Sequence, residues 1–529
     1  MIPQWVKNSR IYPSLRRAAS TLEESLLRVE YRLLSPSGRQ AELLEQVRAL
    51  PRSNGSAFYR PLPFRVGMVA DRFLFENYSC TCDLVYLTPD NWLEQLPGLD
   101  CVMVTSVWHG LGGEWTGASL PGSAVSGRLC ALMEETRRRG CPILFYSKED
   151  PPNFQYFLSY AALADQIYTS AQECVEDYRA RCPGIPVDTM HFAISPLLHN
   201  PIGMKPLGDG ARMAFFAGSW MKKYPARAAQ QRQLFDWALD AGLRLEIADR
   251  NYSRYSLRYR YPLRYLPSVL PDFTYEDVSE LYKCYDWVLN LNSVGNSEDM
   301  FSLRVYDALA CGSLVLSNGS VGMERYFPQV YVIDSYDRLL EALETPLPAL
   351  EQRRLAGLRQ VFRVGTVYEH MERMLGAVGL KGTCVANPLV GVIPGEDVTD
   401  PDGLRAMFEA QSYPHKVWIP SGGDRSAVER CGMVALWGAG RQYGRHYLED
   451  MVNAFKYTAC DYITAPDPSQ GGGGHRYTDR VTDRYGTLFR REVYDCLPSG
   501  WGREAAALPN GYCSDGMSYA GDGRPIEEF

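Results

Sequence analysis

At 529 residues the chain is too long for one ordinary hydrophobic core, and about three domains is the prior. Hydrophobic residues make up 46% and charged residues 22%, the balance of a globular protein and not of a disordered or fibrous one. The net charge of −7 argues against nucleic-acid binding as the main task, which calls for a basic excess.

The first twenty residues have no continuous apolar core of a secretory signal, and no run of about 18 uncharged apolar residues follows anywhere. A cytoplasmic location is expected. The 14 cysteines are scattered, with no second pair at zinc-ligand spacing after Cys80 and Cys82, so buried reduced thiols are expected.

Over 18–50, Leu22, Leu26, Leu27, Val29, Leu33 and Leu34, then Leu43, Leu44, Val47 and Leu50, recur at helical spacing. The spacing predicts two amphipathic helices broken at Ser35-Pro36-Ser37-Gly38. Packing against the next domain is the plain reading, and a coil that makes a homo-oligomer is the alternative. From Phe64 to Ser170, short apolar runs alternate with helical segments such as 127–139 and 171–182. That alternation predicts a parallel α/β sheet, whose ligands bind at the carboxyl ends of the strands.

A second α/β unit begins near Ala211: the strand MAFFAGS, a helix over 225–241, the strand LRLEIAD, a Tyr- and Arg-rich insertion, a helix over 275–285 and the strand DWVLNLN. A helix and the strand SLVLSN follow, then QVYVID and helices over 350–378. A third unit begins near Lys381, with strands at NPLVGVIP, HKVWIP and GMVALWG and a helix at YLEDMVNAFKYT. Glu449 and Asp450 on that helix are expected to face solvent or to cap. Four consecutive glycines predict a mobile loop in PDPSQGGGGHRYTD, with His475 as a lid candidate, and a poorly structured tail from about Pro509.

The segment Ser297–Ser317 reads SEDMFSLRVYDALACGSLVLS: an acidic loop, a short amphipathic helix, an Ala-Cys-Gly turn and an apolar strand. A helix start offers backbone N–H groups to an anion. Arg304 can fork onto a diphosphate, and Asp307, three residues on, shares its helix face and can accept from ribose hydroxyls. Phosphate and ribose together mean a nucleotide, most simply a nucleotide-sugar.

That segment resembles the nucleotide-binding half of GT-B glycosyltransferases, with Asp299 and Asp307 at its two acidic positions, where many relatives carry Glu. Met300, Phe301, Arg304 and Val305 resemble more narrowly the spore-maturation (CgeB-like) branch. YSKEDP at Tyr146–Pro151, VTSVWHGLGGEW at Val104–Trp115, HFAISPLLHNP at His191–Pro201 and AGSWMKKYPAR at Ala217–Arg227 match the same branch, as does the pair Asp249-Arg250. The last residues, from 381, resemble a GT-A-like fold whose metal-holding acids are replaced by LWGAGRQYG.

The resemblance implies an α/β GT-B fold: two Rossmann-like domains facing a cleft, plus an α/β accessory domain. The expected division is a helical segment at 1–60, an acceptor domain at 61–205, a nucleotide-sugar domain at 206–380 and the accessory, degenerate GT-A-like unit at 381–529. It implies a hexosyltransferase-type enzyme with a nucleotide-sugar co-substrate, no other cofactor and no metal. Donor contacts are expected from Gly218, Ser219, Lys222, Lys223, Arg227, Asn292, Asp299, Ser302, Arg304 and Asp307. Glu149, Asp150 and His109 are the candidates to polarise an acceptor hydroxyl on a saccharide, polymer or protein. The alternatives are a non-catalytic nucleotide-sugar-binding scaffold, an epimerase or phosphorylase on the same architecture, and sugar transfer onto a nucleic-acid base.

Overall fold

Strands β1 (Leu62–Val69), β2 (Cys82–Tyr86), β3 (Cys101–Thr105), β4 (Ile143–Ser147), β5 (Gln166–Thr169) and β6 (Val187–Thr189) form one sheet in the order β2-β1-β3-β4-β5-β6. All its pairings are parallel. The cause is readable in β3 and β4, which are buried along their whole length and so must be covered by helices on both faces. The computed structural model describes residues 12–208, 210–399, 401–422, 425–466, 474–497 and 506–526. Of the segment expected to form a mobile loop, residues 467–473, with three of its four glycines, lie outside the described residues.

A second parallel sheet holds β7 (Met213–Ala217), β8 (Arg244–Ala248), β9 (Val269–Leu270), β10 (Trp287–Asn290), β11 (Leu314–Ser317) and β12 (Tyr331–Val332), in the order β12-β11-β10-β7-β8-β9. The chain winds outward from β7 to β9 and restarts on the other side at β10. This reversal opens a crevice at the carboxyl ends of β7 and β10. The two Rossmann-like lobes face each other across it, the GT-B arrangement. The last helices of the second lobe cross back to the first. Thr366 bridges to Ile194, and His370 on the Val367–Ala377 helix lies 3.4 Å from the Tyr78 hydroxyl.

The third sheet is mixed. Its strands are β13 (Val390–Pro394), β14 (Lys416–Trp418), β15 (Met433–Trp437), β17 (Tyr462–Thr464), β18 (Arg476–Val481), β19 (Thr487–Arg490) and β20 (Ala506–Cys513), ordered β14-β13-β15-β19-β17-β20-β18. Strands β13 to β15 are parallel, whereas β19 runs antiparallel to both its neighbours. A separate two-stranded ribbon pairs β16 (Gln442–Tyr443) with β21 (Tyr519–Ala520). The tail thus departs from the poorly structured expectation. Strand β20 sits between β17 and β18, and Tyr512 at its end is fully buried.

Two other expectations for this unit are corrected. Glu449 and Asp450 do not face solvent. Both are shielded in the seam with the second lobe, where Arg363 pairs with Glu449 and Arg359 grips both Asp450 oxygens at 2.6 and 2.8 Å. His475 is no lid: it is buried, with Nδ1 3.1 Å from the Tyr512 hydroxyl.

The N-terminal helices are Tyr12–Leu34 and Arg39–Ala49, broken where the Ser-Pro-Ser-Gly run predicted. They pack on the second lobe, not on the sheet that follows them in sequence. Glu30 pairs with Arg260, and Arg39 Nε donates to Glu246 at 2.7 Å. Leu22, Leu26, Val29 and Leu33 remain exposed. The cysteines are free thiols, most of them buried. Among the described residues no helix is long and apolar enough to cross a membrane.

Candidate active site

A cavity of about 560 Å³ fills the crevice between the first two lobes. The second lobe supplies most of its wall, from the ends of β7, β8 and β10 and from the first turn of the Leu303–Ala310 helix. That helix begins at Ser302, whose N–H donates to Asn292 Oδ1 at 3.0 Å, and ends where Gly312 adopts a left-handed φ of 76°. A side chain at Gly312 would be strained at that φ, and its Cβ, 2.3 Å from the Met204 sulfur, would push the methionine aside. Gly218 is constrained in a different way. A side chain there would press into the Phe216 ring at 2.8 Å and approach Arg304 Nη2 at 3.3 Å.

Three arginines line this wall: Arg227, Arg250 and Arg304. Among the described residues, none of the three is paired with a carboxylate. Arg227 Nη1 reaches the Ser219 carbonyl at 3.4 Å, and Arg250 Nε reaches Ser219 Oγ at 3.0 Å. Arg304 Nη1 bonds Asn290 Oδ1 at 2.9 Å, its Nη2 bonds the Ala217 carbonyl, and its guanidinium lies 4.8 Å from the centre of the Phe216 ring. Burial, and then the charge of Arg304, lower Arg227 to about 10, and the same two causes lower Arg250. Like charges are thus held together in a shielded crevice. A dianion placed among them would relieve the repulsion.

Asp307 lies deeper on the same helix. It is buried, receives the Tyr275 hydroxyl at 3.2 Å on Oδ2, and holds Oδ1 3.5 Å from His199 Nε2. Among the described residues, neither Asp307 Oδ1 nor either ring nitrogen of His199 has a hydrogen-bond partner. Burial pushes Asp307 up to about 8, and burial followed by the Lys283 charge pushes His199 down to about 3. At neutral pH the pair is therefore an acid and a neutral imidazole, and their proximity is not an ion pair.

The first lobe contributes Lys148 and Glu149. Lys148 Nζ is buried between Glu149 Oε1 at 2.9 Å and Asp71 Oδ2 at 3.1 Å. Burial alone would raise Asp71. Lys148 and the N–H groups of His109, Gly110 and Trp108 outweigh it and hold the carboxyl below its usual range. Glu149 Oε2 accepts from Asn153 at 2.9 Å.

Of the residues singled out from the sequence, Gly218, Ser219, Arg227, Ser302, Arg304, Asp307 and Glu149 come together on this cavity. Others do not line it. Lys222 and Lys223 sit on an exposed turn, with Lys223 over the Tyr224 ring. Asn292 is buried behind the wall, bracing Ser302. Asp299 reaches across to the first lobe with Oδ2, which accepts from the Gln172 N–H at 3.1 Å, while Oδ1 accepts from the Tyr326 hydroxyl of its own lobe at 3.2 Å. Asp150 points into the first lobe's core, accepting from Thr169 Oγ1 at 2.7 Å and Tyr178 at 3.0 Å. Burial raises it to about 6. His109 is exposed, and its Nδ1 lies 3.2 Å from Thr116 Oγ1.

Lys148 and Arg250 are the cavity cations absent from the sequence-based set. Lys148 directly follows β4 and Arg250 lies two residues past the end of β8, each within a motif already singled out, so the carboxyl-end rule was the available signal.

Residues 227–375 match the family model described as glycosyl transferase-like. No curated protein sequence gives a significant match. Solved structures similar to the chain include the N-terminal domain of Candida albicans trehalose-6-phosphate phosphatase, with 12% identity over 62% of this chain and 100% of that one and a TM-score of 0.40. An alpha-glucosyltransferase in complex with UDP and a 13-mer DNA containing an HMU base shares 9% identity over 60% and 100% of the two chains, with a TM-score of 0.43. Anabaena HepE in complex with UDP and glucose shares 10% over 59% and 91%, with a TM-score of 0.38.

Proposed function

We propose that this glycosyltransferase moves a sugar from a nucleotide-sugar donor to a saccharide, polymer or protein acceptor by a metal-independent GT-B mechanism. The motifs at Tyr146–Pro151, Ala217–Arg227 and Ser297–Ser317 support its placement in the CgeB-like branch. The observation that carries the reading is the unpaired arginine trio Arg227, Arg250 and Arg304 at the crevice. A departing nucleoside diphosphate gains negative charge as the glycosidic bond breaks, and fixed cations stabilise that charge most in a shielded cleft. The start of the Leu303–Ala310 helix adds N–H dipoles. Asp307, at the inner wall of the cavity, accepts from the ribose hydroxyls in this reading.

Glu149 is the one candidate acceptor-activating group among the three that reaches the cavity. It polarises the acceptor hydroxyl, with Lys148 fixing its orientation. Closure of the two lobes excludes water as a competing acceptor. The accessory unit, read as a degenerate GT-A-like domain, packs against the donor lobe without supplying this chemistry.

Two expected outcomes test the reading. In a thermal-shift panel of UDP, GDP, TDP and their sugars, one family stabilises the protein by about 2.7 kcal/mol at 100 times its dissociation constant. Glu149→Gln keeps that shift but loses roughly 100- to 10,000-fold in sugar transfer, the usual contribution of a positioned acid or base. No shift with any nucleotide overturns the donor assignment. Donor affinity should also rise several-fold as pH passes about 8 and Asp307 ionises, since a carboxylate accepts ribose hydroxyls better than its acid form does. Asp307→Asn should abolish that pH dependence.

A second reading has its own support. Asp299 is turned to the first lobe, and Asp150 and His109 lie off the cavity. A protein that holds a nucleotide-sugar without turning it over fits those positions. Assay of free nucleoside diphosphate, with candidate acceptors present, separates the two.

A further inference from the structure

A second cavity, of about 380 Å³, opens at the seam between the second lobe and the third unit. The Leu347–Val364 helix supplies one wall, with Arg359 and Arg363 one turn apart on the same face. Arg445 and His446, just before the Tyr447–Lys456 helix, supply the opposite wall, and Ser518 closes one end.

The guanidiniums are aimed by carboxylates that do not themselves line the cavity. Arg359 places Nε and Nη2 on Asp450 at 2.6 and 2.8 Å, and Nη2 also reaches Ser518 Oγ at 3.1 Å. Arg363 places Nε and Nη2 on Glu449 in the same way, and its Nη2 lies 3.3 Å from His446 Nδ1. Each pairing uses one edge of a rigid planar fork and leaves the Nη1 corner over. Glu449 and Asp450 hold the arginines from behind, while the groups that line the space are cationic or neutral. Arg363 keeps 45% of its side chain exposed, and Arg445 is exposed, so the site is open to a ligand from solution.

We propose that this seam is a second anion site, separate from the crevice, that takes a small phosphate-bearing molecule between Arg359, Arg363 and Arg445. A phosphoryl group presents several oxygens in different directions, which suits guanidinium corners converging from two walls. A molecule seated there touches both the helix that crosses the back of the donor lobe and the third unit. It would therefore couple the accessory unit to the lobe that carries the arginine trio.

The test uses the full chain carrying Arg227→Ala and Arg304→Ala, which silences the crevice. Inorganic pyrophosphate, glucose 6-phosphate and citrate are titrated calorimetrically at low ionic strength. The expected result is one pyrophosphate or sugar phosphate bound per chain, weakened at least tenfold by Arg445→Gln and again by Arg363→Gln, with Arg363→Lys losing less. The tighter of the two phosphates identifies an inorganic or an organic source. Arg445 lies on the exposed rim, so its variant keeps the test valid should Arg363→Gln loosen Glu449. The proposal is overturned if neither phosphate binds in this background, if Arg445→Gln and Arg363→Gln both bind as the parent does, or if citrate binds as tightly.

Discussion

Replacing Arg304 with alanine weakens nucleoside-diphosphate binding by roughly 30- to 150-fold, the loss of about 2–3 kcal/mol expected for a charge-assisted contact. At a ligand concentration that stabilises the wild type by about 2.7 kcal/mol, the variant retains about 0.3–0.9 kcal/mol. Thermal melts with and without the nucleotide measure both values. Arg304 also braces Asn290 and the Ala217 carbonyl, so Arg304→Lys is the control: it keeps charge and loses the fork.

Arg227 gives the same argument a signature that a structural role would not give. Its pKa is lowered on folding to about 10, by burial and by Arg304. A base lowered in this way destabilises the folded state at every pH below the lowered value. Arg227→Met should therefore raise the melting temperature of the free protein at neutral pH while weakening its response to nucleotide. Lower stability with unchanged nucleotide response would show that Arg227 serves the fold and not the ligand.

Arg359→Ala is expected to cost about 3–5 kcal/mol, because it leaves the Asp450 carboxylate buried without its partner. Burial already pushes Asp450 up against the pull of Arg359. Without the arginine, nothing of that pull remains and burial raises the carboxyl further. The sign follows: an acid raised on folding penalises the folded state when it ionises, so the deficit of Arg359→Ala grows with rising pH and shrinks as pH falls. Urea melts at two pH values measure this, and limited proteolysis reports whether the third unit loosens from the Leu347–Val364 helix. The paired replacement Arg359→Met with Asp450→Leu should recover most of the loss, since a packed apolar pair escapes the desolvation cost. A single-variant loss under 1 kcal/mol would mean that water reaches the seam and screens the charge.

The exposed stripe Leu22, Leu26, Val29 and Leu33 shows how far patterning reaches. Its spacing specified a helix correctly, because backbone periodicity is local. Which face would be covered was a different matter. Leu27 and Tyr31 are buried on the second lobe, and Glu30 reaches Arg260. That docking skips the adjacent lobe, and no local rule encodes it.

By itself the sequence determined the alternation of buried strands and helices, the breaks at glycine and proline, and the helix that carries Arg304 and Asp307 on one face. Each of these follows from interactions within about ten residues. Only the tertiary structure decided where the acids after the strands point. Asp150 and Glu149 are neighbours in sequence, yet one is turned into the core beneath Thr169 and Tyr178 and the other into the cavity. It also decided that Lys222 and Lys223 stay in solvent while Arg250, from a separate strand, joins the trio. The tail was misjudged for the same reason. Strand β20 gains order from β17 and β18 on either side, and a strand's partners lie far away in the chain. Local propensity writes the elements. Long-range packing and the cost of burying charge choose which side chains meet.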